Sequence, residues 1–422
     1  MNKYRQMRVI VTEALDTFRV VSVTGPRQAG KTTLVREVAA ARGMSYVSLE
    51  DASLRAMAAA DADAWLAALG ERAAIDEIQH VPDLFRAIKR RVDASDCPGQ
   101  YLITGSALWL SMPAIGETLA GRVVLLNLWP FSCAEREMRE PFDPELLCGP
   151  DWSPDTIRSR VQNPAGAGGM RDWLADSILR GGYPEPSAIE KPSMRKLWFE
   201  SYVSTYLQRD VLDITRIEHP DAYRRLIRLV ASRTGQLLNG AALARDLGLP
   251  QPTAKRYLDW LSWTYQRFQV EPYSVNAGKR LVKTPKTYWS DTGMVAALLG
   301  WSSWGEVADA GMDGALLETW VANELRKSLD ANGYAPLAFW RTHGGGEVDF
   351  LLEHKGGLTA IEVKLGMRLD ARDLKGIHEC RDALGKRFRR GIVLYGGSDL
   401  LPLDRDLYAV PLAILRGGHS RQ

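Results

Sequence analysis

Cysteine is scarce in this chain, four residues in 422, and Cys97, Cys133, Cys148 and Cys380 are scattered with no CxxC pair among them. That pattern argues against a disulfide framework and a thiolate zinc site, leaving reduced, mostly structural thiols. Long hydrophobic runs are missing too. No apolar stretch approaches the roughly 20 residues that cross a bilayer. The opening MNKYRQMRVIVTEAL has neither the apolar stretch nor the small-residue cleavage site of a secretion signal. The expectation is a cytoplasmic protein with no membrane partner. Net charge is small as well, +3 from 54 basic and 51 acidic residues. A balance this mild does not point to nucleic acid; only a local basic surface can. Hydrophobic residues at 45% and charged residues at 25% are ordinary globular values, which excludes a disordered or fibrous class. The length exceeds what one core serves, so about three folding units are expected.

What is present begins with a phosphate loop. Gly25 to Thr33 reads GPRQAGKTT, directly behind the apolar run FRVVSVT (18–24) and ahead of an amphipathic pattern from Thr32 to about Ala41. A glycine-rich turn between strand and helix leaves several backbone N–H groups facing one concavity, where the helix dipole also favours anions. Gly25, Pro26, Arg27, Gln28, Ala29, Gly30, Lys31, Thr32 and Thr33 are therefore the expected ATP-binding set. Lys31 would reach the β- and γ-phosphates, and the Thr32 hydroxyl would hold Mg²⁺, which takes few protein oxygens.

Tyr46 to Leu49 reads as a short second strand, and RAAIDE (72–77) has the shape of a strand ending in two carboxylates. Asp76 there would hold the water shell of Mg²⁺, and Glu77 would polarise the attacking water for in-line displacement. The alternative is an acidic pair capping the next segment. A further run, QYLITGS (100–106), ends in hydroxyls at the sheet edge where doubly wound folds bind ligands. Thr104 or Ser106 either contacts the γ-phosphate or the attacking water, or caps a helix over 107–110. Arg122 stands just before a last strand, Val123 to Leu128.

This order of parts resembles the AAA superfamily of ATPases over roughly the first third of the chain. The resemblance matches Thr104 to the polar sensor and Arg122 to the arginine finger that reaches a neighbouring subunit's ATP; an ordinary surface arginine is the other reading of Arg122. A finger implies a homo-oligomer, expected as a ring, with ATP and Mg²⁺ as cofactors. Arg180, ahead of Gly181-Gly-Tyr-Pro184, is a candidate for the lid's ATP-sensing arginine.

From Pro141 to Met170 the composition turns to Pro, Gly and Asp, ending in NPAGAGG (163–169), and a flexible loop is expected. Helical pattern returns at Arg171. WFESYVSTYLQRDVLD (198–213) puts Trp198, Tyr202, Val203, Tyr206 and Leu207 on one face, a stripe that reads as core. Residues 171–214 are taken as the helical lid and connector. Three helices over 222–232, 239–247 and 251–263 follow, with Gly248-Leu-Pro250 between the last two and Pro252 in a first turn, suggesting a helix-turn-helix. Phe268 to Tyr273 and Lys286 to Trp289 form the expected hairpin around NAGKR (276–280), the pattern of a winged helix. Lys255 and Arg256 on the third helix, with Lys279, Arg280 and Lys283 on the wing, would make a DNA-binding surface. A protein-contact scaffold is the alternative.

LLETWVANEL (316–325) reads as an amphipathic helix carrying Glu318, followed by strands over 347–352 and 359–364. Alternation in the second strand puts Glu362 and Lys364 on one face, converging on Asp349, and Ile361 and Val363 on the other. Two carboxylates plus a lysine can bind Mg²⁺ and orient water against a phosphodiester. The pattern resembles the PD-(D/E)XK nuclease superfamily, with Asp349, Glu362 and Lys364 matching its acid, acid and lysine and Glu318 its first-helix glutamate. Val348 stands where that family usually has proline. An active metal-dependent nuclease, a binding or regulatory relative and a chance strand pair all remain open.

Taken whole, the chain resembles a bacterial and archaeal group of AAA ATPases joined to a C-terminal domain of unknown function, through GPRQAGKT, IDEIQ, LITGSA, LAGR, GGYPEP, QRDV, EVDF and IEVK. The fold expected is α/β: an AAA-type P-loop ATPase core (1–140), a flexible loop with helical lid and connector (141–214), a winged-helix-like middle (215–300) and a restriction-endonuclease-like α/β domain (301–422). The function expected is an oligomeric Mg²⁺-dependent ATPase coupling hydrolysis to DNA binding, remodelling or translocation. The alternative is a nucleotide-switched signalling or protein-interaction ATPase with a non-catalytic nuclease-like domain.

Overall fold

The computed structural model describes residues 4–105, 119–164, 169–210, 219–273, 284–342 and 344–420, the side chains of 207–210 excepted. Contacts divide the chain into two units, Met1–Pro130 with Ser262–Gln266, and Phe131–Leu261 with Arg267–Gln422.

In the first unit, the run Val20-Val-Ser-Val-Thr24 is buried at every position, as a strand covered on both faces must be. It forms β1 (Val20–Thr24) near the middle of a sheet with β2 (Ser45–Ser48), β3 (Ala73–Asp76), β4 (Tyr101–Thr104) and β5 (Val123–Asn127), in the order β2-β3-β4-β1-β5. Each described pairing is parallel. Among the described residues the α-helices are α1 (Met7–Thr17), α2 (Lys31–Ala41), α3 (Ala52–Ala60), α4 (Ala62–Ala68) and α5 (Asp83–Asp93). On α5 the buried Leu84, Phe85, Ile88 and Val92 make the apolar stripe that docks against the sheet, while Arg86 and Arg90 stay exposed. Register then fixes the chemistry. Val23 pairs with Thr104, and Ile75 with Ile103, so Thr24, Asp76 and Thr104 all end at one edge of the sheet.

The second unit is built on a sheet with nine strands among the described residues, ordered β13-β14-β12-β11-β10-β9-β7-β8-β6. In chain order these are β6 (Gln236–Leu237), β7 (Arg267–Pro272), β8 (Lys286–Trp289), β9 (Ala338–Arg341), β10 (Glu347–His354), β11 (Gly357–Lys364), β12 (Phe388–Tyr395), β13 (Leu401–Asp404) and β14 (Leu407–Pro411). The stretch 141–170, read from sequence as loop, instead contains α6 (Glu145–Cys148) and α7 (Pro154–Arg160). Leu147, Cys148 and Ile157 are fully buried. One- and two-turn helices need no sustained period; Ser153 capping Thr156 N–H at 3.2 Å, with Pro154 at the first helical position, is enough to start one.

Farther along stand α8 (Gly169–Arg180), α9 (Pro192–Tyr202), and the three helices α10 (Pro220–Ala231), α11 (Gly240–Leu247) and α12 (Gln251–Trp263). Gly248 closes α11 in the left-handed conformation, φ +66°, which a side chain would resist. β7 and β8 pair antiparallel, Arg267 opposite Trp289. The other edge of β7 takes β9 in parallel, Glu271 opposite Ala338, so the sheet runs on past residue 300, where the sequence suggested a change of unit. One apolar core serves both sides of that point, holding Tyr223, Tyr257 and Trp289 together with Leu316, Trp320 and Ile361. Tyr202, Val203 and Tyr206 of the aromatic stripe lie in the same core; the Leu207 side chain is outside the described residues. The same unit also holds α13 (Asp313–Asn332) and α14 (Lys375–Leu384).

Candidate functional site

The phosphate loop leaves β1 at Gly25 and enters α2 at Lys31. Gly25 has φ +151°, and a Cβ there would lie 2.2 Å from the Leu128 carbonyl oxygen, so glycine is required. The buried Lys31 ammonium donates to Gly25 O at 3.1 Å and Pro26 O at 2.9 Å. Burial pushes its pKa down, and the negative charges of Glu77 and Asp76 oppose that shift. Asp76 ends β3 almost fully buried and accepts from Thr32 Oγ1 at 2.9 Å and Tyr46 OH at 3.2 Å. Thr104 donates its hydroxyl hydrogen to Asp76 and accepts the Glu77 N–H at 3.0 Å. Glu77 itself is left-handed, φ +54°, a strained setting for a non-glycine residue that clusters at functional sites.

Loop, hydroxyl and acid therefore meet at one place. Thr32 and Asp76 present a hydroxyl and a carboxylate together at the loop, a hard-oxygen pair of the kind Mg²⁺ takes, and the donor chemistry fits the ion. Sequence reasoning missed Tyr46 and Arg5. The Arg5 guanidinium, mostly buried, donates to Ala29 O of the loop at 3.2 Å and to Trp129 O. It also missed Tyr265, whose hydroxyl bonds Thr24 at 2.7 Å and Asn127 at 2.9 Å at the ends of β1 and β5. No local pattern marks any of the three.

Arg122 lies elsewhere in the same unit. Val20 pairs with Val123 and Thr24 with Asn127, so Arg122 stands at the opposite end of β5 from the loop, roughly 15 Å away at about 3.3 Å per residue. It forms a two-pronged pair with Asp93, at 2.5 and 3.0 Å, which lowers the Asp93 pKa. Arg180, in the second unit, is held by Asp176 at 2.9 Å and by Ser187 O at 3.2 Å. Lys255 and Arg256 are exposed on α12, the Arg256 guanidinium 5.5 Å from the Trp260 ring. Ser106, Lys279, Arg280 and Lys283 lie outside the described residues.

The four nuclease-like positions converge in the second unit. Asp349 on β10 accepts the Val363 N–H of β11 at 2.9 Å, and Lys364 pairs with Glu362 at 3.0 Å. Burial and the Asp349 charge push Glu362 up to about 8. Glu318, on α13, is raised to about 7 by the same two causes. What the sequence did not disclose is a second lysine. Lys286 on β8, 4% exposed, puts its Nζ 3.0 Å from Glu318, 2.6 Å from Glu347 and 3.6 Å from Asp349. Burial would lower its pKa, but the three carboxylates outweigh it and raise it. Tyr288 donates its hydroxyl to Glu318 at 2.5 Å. Among the described residues no group of three or more His, Cys, Asp and Glu is arranged to hold a metal ion.

Three family models match: an AAA domain over residues 17–137, the domain of unknown function DUF8612 over 171–304, and DUF4143 over 313–415. "Uncharacterized protein Rv2008c" of Mycobacterium tuberculosis is 32% identical over 399 residues, which cover 94% of this chain and 81% of that protein. The chain belongs to the Rv2008c family. "Uncharacterized protein Mb2031c" of Mycobacterium bovis matches with the same identity and coverage. Residues 17–137 of this family member are an AAA-type P-loop ATPase domain, in keeping with the loop geometry. Solved structures with some likeness include the Thermotoga maritima RuvB Holliday junction branch migration motor, with 15% identity over 64% of this chain and 90% of that one and a TM-score of 0.27. Another is the replication initiator DnaA bound to AMPPCP and single-stranded DNA, with 11% identity over 61% and 86% and a TM-score of 0.28. Scores that low bear on neither fold nor activity. No helix among the described residues is long and apolar enough to cross a membrane.

Proposed function

We propose that this chain is a Mg²⁺-dependent ATP hydrolase, acting as a homo-oligomer and coupling turnover to work on DNA. The observation that carries the hydrolase reading is the Thr104 hydroxyl, which ties Asp76 to the Glu77 amide beside the Thr32 hydroxyl. In this reading the loop amides and Lys31 bind the triphosphate, and Thr32 and Asp76 hold the ion. The ion supplies charge neutralisation on the phosphate oxygens. Glu77 orients and deprotonates the attacking water, and Thr104 keeps Glu77 aimed. Arg122 serves a neighbouring copy's ATP, since its own loop is beyond its reach.

The DNA part of the reading is supported by the exposed Lys255 and Arg256 on α12, with Lys279 and Arg280 following in the sequence. A second reading, a nucleotide-switched protein-interaction ATPase with a non-cleaving C-terminal fold, is favoured by one observation, the Lys286 ammonium among the acids. ATP turnover measured with single-stranded, duplex and branched DNA, at several salt concentrations, separates the two. Stimulation by a DNA form that fades as salt rises is expected. Turnover indifferent to every DNA form rejects the DNA reading in favour of the second.

A further inference from the structure

Glu318, Asp349 and Glu362 are the acids that would receive a divalent ion, yet a lysine already stands on two of them. Mg²⁺ demands near-octahedral oxygens at about 2.0–2.1 Å. Here a lysine already claims oxygens of two of these acids: the Lys286 ammonium is a buried cation in contact with Glu318 and Glu347 and 3.6 Å from Asp349, while Glu362 is paired with Lys364 at 3.0 Å. A second cation on the same acids would meet direct repulsion. A lysine this deep is costly unless paired and hydrogen-bonded, and here carboxylates on α13 and β10 supply both. We infer that Lys286 is the resident cation of this cluster, taking the place a divalent metal would occupy and fastening β8 to α13 and β10.

Glu318, Glu347 and Asp349 accordingly share a cation that belongs to the chain itself. Lys364 keeps its own partner, Glu362, at 3.0 Å and so does not substitute for Lys286. Taking away the lysine's charge while keeping its apolar stem, as in Lys286→Met, leaves Glu318, Glu347 and Asp349 without the ammonium they share, Glu347 keeping Arg341 at 3.6 Å. That is an empty hard-oxygen site.

The test is Mn²⁺ titration of the nucleotide-free, full-length protein, read by the loss of the free-ion electron paramagnetic resonance signal. Without nucleotide, its outcome does not depend on the ATPase reading. The wild type is expected to take up no Mn²⁺ that Asp349→Asn abolishes. Lys286→Met is expected to gain one Mn²⁺ per chain, lost again in Lys286→Met/Asp349→Asn, and to melt at a higher temperature when Mn²⁺ is added. Asp349-dependent uptake by the wild type overturns the inference, and so does a folded Lys286→Met that gains none. Should Lys286→Met fail to fold, the wild-type and Asp349→Asn pair decides alone.

Discussion

Thr104 carries the most exact demand on a single side chain: its hydroxyl gives a hydrogen to Asp76 and receives one from the Glu77 amide. Thr104→Ala removes both and leaves a buried carboxylate short of a partner. Turnover is expected to fall about 10²-fold, while ATP affinity stays within a few-fold because the loop amides are untouched; steady-state kinetics beside equilibrium nucleotide binding checks both. At this scale the sequence was readable at the strand ends and in the glycine turn. Lys31, Thr32, Asp76, Glu77 and Thr104 each follow an apolar run or a glycine turn that announces them. Arg5, Tyr46 and Tyr265 carry no such signal, because their partners are fixed by tertiary packing: Arg5 reaches Ala29, and Tyr265 reaches a residue 241 positions away.

Strands and helices were legible when their period was sustained. β1, α2, β3, β10 and β11 all stand where the apolar pattern put them. Two kinds of information were not local. The pairing of β7 with β9 joins segments whose partnership no turn residue encodes, and Lys286 meets Glu318 32 residues away. The consequence is measurable through Glu362, whose proton is held more tightly folded than unfolded because burial and Asp349 disfavour the anion. The Glu318 charge adds to the rise, and Lys364, paired with Glu362 at 3.0 Å, opposes it. A raised acid stabilises the fold fully below its ordinary value of 4.5 and loses that contribution as pH climbs through about 8. Thermal unfolding of the full chain should therefore lose stability over that window, and Glu362→Gln should flatten the loss. An identical pH slope in the two proteins contradicts the assignment.

For the whole molecule, the decisive question is whether one copy completes its own ATP site. The sheet puts Arg122 at the far end from the loop, so Arg122 does not reach the ATP of its own chain. Arg122→Ala should bind ATP normally yet turn over at least ~10²-fold more slowly. Mixing it with Lys31→Ala should restore part of the activity, because an intact loop then faces an intact arginine across an interface. No recovery at any mixing ratio argues that Arg122 serves only its pair with Asp93. The most direct test of the account is Mg²⁺-dependent ATP turnover by the wild type, Lys31→Ala and Glu77→Gln, each paired with nucleotide binding. The wild type should hydrolyse ATP, Lys31→Ala should fail to bind it, and Glu77→Gln should bind it while turning over at least ~10²-fold more slowly. Undiminished hydrolysis in both variants would contradict the assignment of the phosphate loop and its acids as the catalytic site.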